Sequence, residues 1–310
     1  MTLDEADILT SLALSMRIHT LDLQFQGIPG LIAAFIAESG GEFALIETGP
    51  GSTLETLRAA IRAVGVDEAA IKKVFVTHIH LDHAGAAGWF AQHGATVYCH
   101  PNAVRHLIDP SKLIESARMV YGAQMDALWG DMLPVPAERV IALQDNERVS
   151  LGETEIIAWD TPGHARHHHA FAIGDLCFTG DVAGMRLEHS RYLSVTAAPP
   201  QFDPVAYVQS VDRLAAANFK TLYLTHFGAV GDVAWHLASY RQRVTEVYDR
   251  VVAGFREGIS VDENRRRYVE AEHQIAMQAG VSEELWRKGE DANVTSMCAD
   301  GVRLFCEKGR

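Results

Sequence analysis

Several features that mark whole classes of protein are scarce in this chain. Its four cysteines form no Cys-x-x-Cys pair, which argues against a disulfide framework and against a tetrathiolate zinc site. The apolar stretch at residues 28–37 is far shorter than the roughly 20 residues that cross a bilayer. Residues 1–7 carry acidic side chains, whereas a signal peptide opens with basic residues. We therefore expect a cytoplasmic protein that makes no contact with membranes.

Positive charge is scarce as well. The chain has 27 lysines and arginines against 40 aspartates and glutamates, and its net charge is −13 with histidine neutral. This excess of negative charge disfavours a broad electrostatic attraction to nucleic acid or to anionic lipid. With 310 residues, 48% of them hydrophobic, the chain can bury a sizeable core. Histidine is unusually abundant, with 15 copies, so the positions of the histidines are the first clue to function.

The pattern of the first 231 residues predicts alternating strands and helices. The run at residues 71–77 is rich in β-branched residues, as a buried central strand is, and a second short strand is predicted at residues 221–225. Asp203-Pro204 combines an N-cap residue with a proline suited to the first helical position, and it predicts a helix that ends near Ala217. Strands that alternate with helices indicate the α/β class.

After about Gly231 the pattern changes to helical periodicity without strand signals. Helices are predicted at residues 232–253, 261–278, 282–288 and 292–307. We therefore divide the chain into a catalytic domain at residues 1–231 and a helical extension at residues 232–310. The extension could close over the site as a lid, form the interface of a homodimer, or do both.

The most informative segment, residues 77–85, directly follows a predicted strand and has the sequence Thr-His-Ile-His-Leu-Asp-His-Ala-Gly. Because side chains two apart in an extended stretch share a face, His78 and His80 point to the same side. Asp82 and His83 then lie at the turn into the next helix. Imidazole nitrogens together with a carboxylate oxygen suit zinc, manganese or ferrous iron. The segment therefore predicts a metal site.

Three later positions supply further candidate ligands at predicted strand ends. His164 follows a strand and a Pro-Gly turn, Asp181 closes a strand in Phe-Thr-Gly-Asp, and His226 closes another in Leu-Thr-His. Ligands commonly bind at strand ends in layered α/β proteins, because the loops there are free to carry chemistry. Each position alone is a weak signal, but the whole set in this order favours a metal centre.

The strings HIHLDH, TPGH, TGD and THFG, in this order, resemble the metallo-β-lactamase fold superfamily of metallohydrolases over roughly residues 15–231. The resemblance implies an α/β fold, a four-layer αββα sandwich with the metal site at one edge of its two sheets, followed here by the C-terminal helical extension. It also implies two divalent metal ions, Zn²⁺ in the first place and Mn²⁺ or Fe²⁺ otherwise. By the same resemblance the first ion is bound by His78, His80 and His164, the second by Asp82, His83 and His226, and Asp181 bridges the two.

The resemblance, joined to the chemistry of such a site, implies hydrolysis. Two divalent ions roughly 3.5–4 Å apart lower the pKa of a bridging water, which gives a hydroxide near neutral pH that attacks a carbonyl or phosphorus centre. One ion then stabilises the oxyanion. Asp82 is the candidate catalytic residue, since a carboxylate beside the hydroxide can orient it and later protonate the leaving group. The expected partner is a small-molecule substrate with an ester-like bond: a lactone, a thioester or a phosphodiester.

Two segments depart from the pattern of the superfamily. Glu47-Thr48-Gly49 stands where many members have Asp-Thr-Gly, at a position that usually supports the ligands. The histidines at residues 167–169 follow His164 where many relatives have small residues or proline, and they could be supports behind the ligands, a proton relay or an alternative ligand. Among them we expect His168 behind the ligands or at the mouth of the site. Tyr192 is predicted to border the substrate.

Two other functions remain open. A mononuclear iron persulfide dioxygenase of the same fold would bind one iron through two histidines and an aspartate. A non-catalytic sensor or binding protein could retain metals and turn nothing over, although the complete set of seven ligands weighs against it, because binding alone needs no water-activating pair. Since one fold hosts many functions, metal content and turnover must distinguish the three.

Overall fold

The computed structural model describes residues 16–187, 190–292 and 295–309. Its described residues fall into two compact units. Unit 1 comprises the residues up to Leu23 together with Ala34–Ala158 and Ala172–Gly174, and unit 2 comprises Gln24–Ala33, Trp159–Phe171 and the residues from Asp175 onward. These units do not coincide with the catalytic domain and helical extension of the sequence analysis, and that functional division stays a prediction.

One sheet is built from six strands of the described chain. They are β1 (Met16–Asp22), β2 (Ala33–Ser39), β3 (Glu42–Ile46), β4 (Ile71–Phe75), β5 (Thr96–Cys99) and β6 (Val140–Ala142), and they lie side by side in this order. β2 and β3 are antiparallel, whereas β3, β4, β5 and β6 run parallel. Parallel neighbours need crossover connections, which helices provide here.

The crossover helices have the following bounds. They are α1 (Leu54–Ala63), α2 (Leu81–Ala84), α3 (Ala87–Gln92), α4 (Val104–Ile108), α5 (Ser111–Tyr121) and α6 (Met125–Trp129). The short helix α2 follows β4 closely, and residues 76–80 form the connection in which the histidine motif starts. The predicted strand before His78 is confirmed, whereas Asp82 and His83 lie within the short helix α2 rather than at a turn before it.

A second sheet contains the remaining described strands. They are β7 (Arg148–Leu151), β8 (Thr154–Asp160), β9 (His169–Ile173), β10 (Leu176–Arg186), β11 (Leu193–Ser194), β12 (Thr221–His226) and β13 (Gly228–Val230). Their order is β13-β12-β10-β9-β8-β7, with β11 paired to β10. β10 and β12 run parallel, and α7 (Pro204–Ala216) connects them. The carboxylate of Asp203 accepts hydrogen bonds from the first N–H groups of α7, as its N-cap sequence predicts.

Strand β10 is longer than predicted. The sequence analysis ends it at Asp181, but it continues to Arg186 because its last residues pair with β11, with Met185 opposite Ser194. Its register with β12 shifts between Gly180 and Met185. Gly180 has a φ of +50°, a left-handed conformation that favours glycine. Asp181 therefore lies in an irregular part of a strand rather than at its end.

The C-terminal part of the chain is helical, as predicted. The helices are α8 (Val233–Arg256), α9 (Val261–Gln278), α10 (Glu283–Ala292) and α11 (Ser296–Glu307). α8 buries Leu237, Tyr240 and Val244 at the three- and four-residue spacing of an amphipathic helix, and it packs on α7, α11 and β10. Within the described part of the chain, every helix is too short or too polar to cross a membrane.

Candidate metal centre

The connection after β4 fixes the orientation of His78. The hydroxyl of Thr77 donates to Oε1 of Glu47 at 2.5 Å, and the same Thr77 oxygen lies 3.0 Å from Nδ1 of His78. Since the hydroxyl proton is used on Glu47, we assign the proton of this imidazole to Nδ1. Nε2 of His78 then keeps a lone pair, and it lies 2.9 Å from Nδ1 of His80. Two ring nitrogens thus converge in this loop.

Glu47 orients a second histidine of the same segment. Its Oε1 lies 3.0 Å from Nδ1 of His83, so this ring donates through Nδ1 and keeps a lone pair on Nε2. That nitrogen is 3.5 Å from Oδ2 of Asp82. Glu47 is 1% exposed and adopts a φ of +64°, a backbone strain of about 1 kcal/mol that the surrounding contacts must offset. Glu47 therefore supports the ligands, as its place in the Glu-Thr-Gly string suggests.

Unit 2 brings the other three predicted ligands together around one carboxylate. Oδ2 of Asp181 lies 3.3 Å from Nε2 of His164, and Oδ1 of the same side chain lies 3.3 Å from Nε2 of His226. All three side chains are buried. Each carboxylate oxygen thus faces a different imidazole, which is the arrangement of a carboxylate that bridges two ligand sets.

The second ring nitrogens of these histidines are bound to backbone carbonyls. Nδ1 of His164 lies 2.6 Å from the carbonyl oxygen of Thr196, and Nδ1 of His226 lies 2.8 Å from that of Leu31. Because a carbonyl only accepts, both rings donate through Nδ1, and Nε2 is the nitrogen that faces Asp181. Histidines that bind metals commonly donate their other nitrogen in this way, which fixes the tautomer and the ring orientation.

The backbone of Asp181 is bound on both sides. Its N–H donates to Nε2 of His168 at 3.1 Å, and Nδ1 of His168 lies 2.8 Å from the hydroxyl of Thr161. Its carbonyl accepts from the hydroxyl of Thr196 at 3.0 Å and from that of Tyr207. His168 therefore supports a ligand through the main chain. This contact agrees with the expectation that His168 lies behind the ligands. A role of His168 toward substrate stays a prediction.

A further hydroxyl joins this cluster from the helical extension. Tyr240 of α8 places its hydroxyl 2.7 Å from that of Tyr207. Burial raises the pKa of Tyr207 well above its ordinary value and also raises the pKa of Tyr240. Both hydroxyls therefore keep their protons throughout the physiological range and act as donors.

Tyr192 is not placed where the sequence analysis puts it. It is 2% exposed, and its hydroxyl donates to Oε2 of Glu272 at 3.0 Å. Glu272 is fully buried and also accepts two hydrogen bonds from Arg243 at 2.7 and 2.6 Å. The hydroxyl of Tyr192 is committed to this ion pair, so we correct the predicted substrate contact to a structural one.

The donor set fits a divalent transition metal. The described residues include groups of histidine and acidic side chains that could hold a metal ion, and all seven predicted ligands are among their members. Neutral imidazole nitrogens and carboxylate oxygens suit zinc, manganese and ferrous iron. The Nδ1 contacts of His83, His164 and His226 strengthen the fit, because they leave Nε2 of each ring as the candidate ligand atom.

Some supporting residues carried no clear signal in the sequence. Thr196 acts partly through its backbone carbonyl, which any residue has. Tyr207 and Tyr240 occupy apolar positions of helices, where an aromatic side chain is ordinarily part of the core. Glu47 and His168 were detectable, through the strings in which they stand.

This chain can be compared with known protein families. A family profile described as the metallo-beta-lactamase superfamily matches residues 27–226, more than half of the chain. The chain belongs to the metallo-β-lactamase superfamily. Membership supports a metal-dependent hydrolase-type enzyme in general, and it confirms the resemblance on which the ligand assignment rests.

A curated relative and several solved structures agree with this assignment. The metallo-beta-lactamase fold-containing protein ST1585 of Sulfurisphaera tokodaii is 30% identical over 161 residues, which are 51% of this chain and 60% of that protein. The match therefore spans less than two thirds of the length of this relative.

The crystal structure of ST1585, from Sulfolobus tokodaii, covers 73% of this chain and 85% of its own, with a TM-score of 0.60 and 24% identity. A metallo-beta-lactamase family protein of Thermus thermophilus, TTHA1429, covers 76% of this chain and 82% of its own, with a TM-score of 0.59 and 21% identity. The metallo-β-lactamase MIM-2 has a TM-score of 0.54 and 19% identity, and it covers 75% of this chain and 87% of its own. At these identities the likeness concerns the fold, and it confirms the predicted fold class.

Proposed function

We propose that the chain is a metal-dependent hydrolase that uses a pair of divalent ions, Zn²⁺ in the first place, to cleave a small ester-like substrate: a lactone, a thioester or a phosphodiester. The observation that carries the proposal is the carboxylate of Asp181, whose two oxygens lie 3.3 Å from Nε2 of His164 and of His226. The seven candidate ligands also exceed the four that a single zinc ion ordinarily takes. A buried carboxylate with an imidazole at each oxygen supports a pair of ions.

The seven residues would bind the pair as two sets that share Asp181. His78, His80 and His164 would bind the first ion, and Asp82, His83 and His226 would bind the second. Such a pair, when bound, supplies an activated water nucleophile and positive charge that stabilises a developing oxyanion.

The protein's own groups prepare the site for this chemistry. Thr77 and Glu47 contact Nδ1 of His78 and of His83 and so hold both rings in place before a metal binds. His83 is fully buried, whereas the side chain of Asp82 is 18% exposed. Asp82 is therefore one of two candidate ligands, with His80, that have access to solvent and substrate. Its carboxylate would take up the proton of the nucleophile on one oxygen and pass it to the leaving group.

Three further expectations are part of the same proposal. The net charge of −13 supports a small-molecule substrate over nucleic acid or a membrane surface. Residues 232–310 would serve as a lid, a homodimer interface or both. A cytoplasmic location remains part of the proposal.

The decisive experiment measures hydrolysis of a panel of lactones, thioesters and phosphodiesters by the full chain. The protein is assayed as purified, after removal of metal with a chelator, and after zinc or manganese has been restored. We expect turnover of one substrate class that the chelator abolishes and the metal restores. His93→Ala replaces a histidine outside the ligand set and serves as the control. It should keep the wild-type activity, because His93 is exposed and bonded to the carbonyl of Trp89.

Three outcomes would contradict the proposal. Protein loaded with two ions per chain that hydrolyses none of the panel would point to a sensor or binding protein. One iron per chain, with oxygen consumption in the presence of a small persulfide, would point to the dioxygenase. Hydrolysis that survives complete metal removal would exclude the metal-dependent mechanism altogether.

A further inference from the structure

A chain of hydroxyl groups leads from the helical extension to the backbone carbonyl of Asp181. Tyr240 lies on α8 and Tyr207 on α7, and both are fully buried. Their hydroxyl oxygens are 2.7 Å apart, and the hydroxyl of Tyr207 donates to the carbonyl of Asp181. The extension is therefore connected to a metal ligand through two phenol groups.

Thr196 adds a branch that reaches a second ligand. Its hydroxyl lies 2.8 Å from that of Tyr207 and donates to the carbonyl of Asp181 at 3.0 Å. Its own carbonyl accepts from Nδ1 of His164 at 2.6 Å. One threonine thus contacts the backbone of the bridging aspartate and the ring of a histidine ligand, and it lies next to the tyrosine pair.

Glycines near the ligands let the two tyrosines approach this closely. A Cβ at Gly184 of β10 would overlap the ring of Tyr240, and a Cβ at Gly163, the residue before His164, would overlap the backbone of Tyr207. Both glycines have positive φ, +69° and +134°, which other residues rarely adopt. The backbone beside the ligands is therefore built to receive these two side chains.

The protons of the three hydroxyls show what Tyr240 contributes. When Tyr240 donates to Tyr207, the protons of Tyr207 and Thr196 both remain for the carbonyl of Asp181. Without the hydroxyl of Tyr240, Tyr207 lacks a donor, and Thr196 can turn its proton toward Tyr207. The carbonyl then loses one of its two hydroxyl donors, and the peptide group that carries the Asp181 side chain is less firmly held.

We infer that Tyr240 is a positioning residue for the metal centre, and that it acts on Asp181 and His164 through Tyr207 and Thr196. The inference rests on the proposed function, because it assigns the purpose of the contacts to metal binding. It makes α8 part of the metal-binding machinery, in addition to any role of the extension as a lid or an interface. Metal affinity then depends on a residue outside the stretch that matches the family.

The test compares two substitutions that each remove a buried phenol hydroxyl from the extension. Tyr240→Phe keeps the ring against Gly184 and removes the donor to Tyr207. Tyr268→Phe is the matched control, because Tyr268 is buried in α9 and, among the described residues, no hydrogen bond joins it to Tyr240, Tyr207 or Thr196. Zinc affinity is measured by competition with a chromophoric chelator, the ligand geometry by the visible spectrum of the Co²⁺-substituted protein, and stability by urea unfolding.

We expect Tyr240→Phe to lower zinc affinity about tenfold, as loss of a group that orients a metal ligand does, and to change the Co²⁺ spectrum. Tyr268→Phe should leave both unchanged. At Thr196, Thr196→Val should lower zinc affinity to a similar extent, whereas Thr196→Ser, which keeps the hydroxyl, should retain it. This rescue separates the hydrogen bond from simple packing.

The inference is overturned if Tyr240→Phe unfolds at lower urea but binds zinc with wild-type affinity and gives the wild-type Co²⁺ spectrum. Wild-type protein that binds two ions and hydrolyses nothing would contradict the proposed function, while the affinity ratio would still decide the role of Tyr240. Wild-type protein that binds neither zinc nor cobalt would overturn both.

Discussion

The candidate ligands in unit 1 and those in unit 2 are held in different ways. In unit 1, His78, His80, Asp82 and His83 lie within six consecutive residues; we call them the contiguous ligands. In unit 2, His164, Asp181 and His226 come from three separate segments; we call them the dispersed ligands. The contiguous ligands are oriented by two side chains, while the dispersed ligands depend on backbone carbonyls and on a cluster of hydroxyls.

This difference separates what local sequence can fix from what tertiary structure must supply. The contiguous ligands need one loop and Glu47, which follows the neighbouring strand β3. The dispersed ligands need β10 and β12, the carbonyl of Leu31, and hydroxyls from α7 and from α8 of the extension. Substitutions far from the motif should therefore disturb the dispersed ligands more than the contiguous ones.

The largest effect is expected for Asp181→Asn. The substitution keeps the shape of the side chain but removes the negative charge that faces His164 and His226, so both proposed ions would lose a charged ligand. We expect kcat/KM to fall about 10³-fold or more, equivalent to roughly 4 kcal/mol, and metal content by elemental analysis to fall below two ions per chain.

The matched control for this substitution is Asp175→Asn. Asp175 precedes the same strand but pairs with Lys220 at the surface, 2.7 Å away, where an ion pair contributes little. Its metal content and activity should be those of the wild type. Retention of both ions and of full activity in Asp181→Asn would remove the basis for the dinuclear proposal.

A second prediction concerns the support that α8 gives to β10. His236 of α8 is fully buried, and its Nε2 donates to the carbonyl of Ala183 at 2.9 Å. Burial lowers the pKa of His236 to about 4, from an ordinary value of 6.5. Between these values the unfolded chain binds the proton and the folded chain does not, so stability falls as the pH is lowered through this window and is complete above it.

The size and the test of this pH effect follow from the same values. The loss is at most about 1.4 kcal/mol per pH unit, or roughly 3 kcal/mol over the window. Urea unfolding of the metal-free protein from pH 7 to pH 4 measures it, and His236→Gln, which removes the titrating group, should show a shallower decline. Equal slopes for the two proteins would show that His236 does not titrate in this range.

The third prediction tests the contiguous ligands. Glu47→Gln keeps a hydrogen-bonding side chain but removes the carboxylate that accepts from Thr77 and His83. We expect zinc affinity to fall 10- to 100-fold, the usual cost of losing a group that orients metal ligands. Chelator competition measures it, and Glu47→Asp, which keeps the charge on a shorter side chain, should lose less.

Glu42→Gln is the control for charge. Glu42 is the first residue of β3, the strand that Glu47 follows, but it pairs with Lys73 at the surface, so its loss should not change zinc affinity. If Glu47→Gln binds zinc as the wild type does, the contiguous ligands are oriented by their own loop alone. They would then depend even less on distant residues than we propose, and would differ more from the dispersed ligands.

The same contrast explains which features the sequence could predict. The motif at residues 77–85 and the cap at Asp203 are local patterns, and the helices of the extension follow from periodicity, so these predictions agree with the structure. The length of β10 depends on its pairing with β11, and the partner of Tyr192 is Glu272, 80 residues away. Contacts at such separations leave no periodic trace, which is why the extent of β10 and the surroundings of Tyr192 required coordinates.

The smallest effect is expected for Tyr192→Phe, which compares two buried tyrosine hydroxyls. The hydroxyl of Tyr240 leads to Asp181, whereas that of Tyr192 donates to Glu272, which Arg243 and Arg250 also contact. Loss of one hydrogen bond to a buried carboxylate should lower the free energy of unfolding by about 1.5 kcal/mol, measured with urea, while KM and zinc affinity stay at wild-type values. A raised KM with unchanged stability would instead restore the predicted contact of Tyr192 with substrate. Tyr240→Phe and Tyr192→Phe both remove a buried tyrosine hydroxyl. A difference in zinc affinity between these two variants therefore reflects the different hydrogen-bond partners of the two hydroxyls.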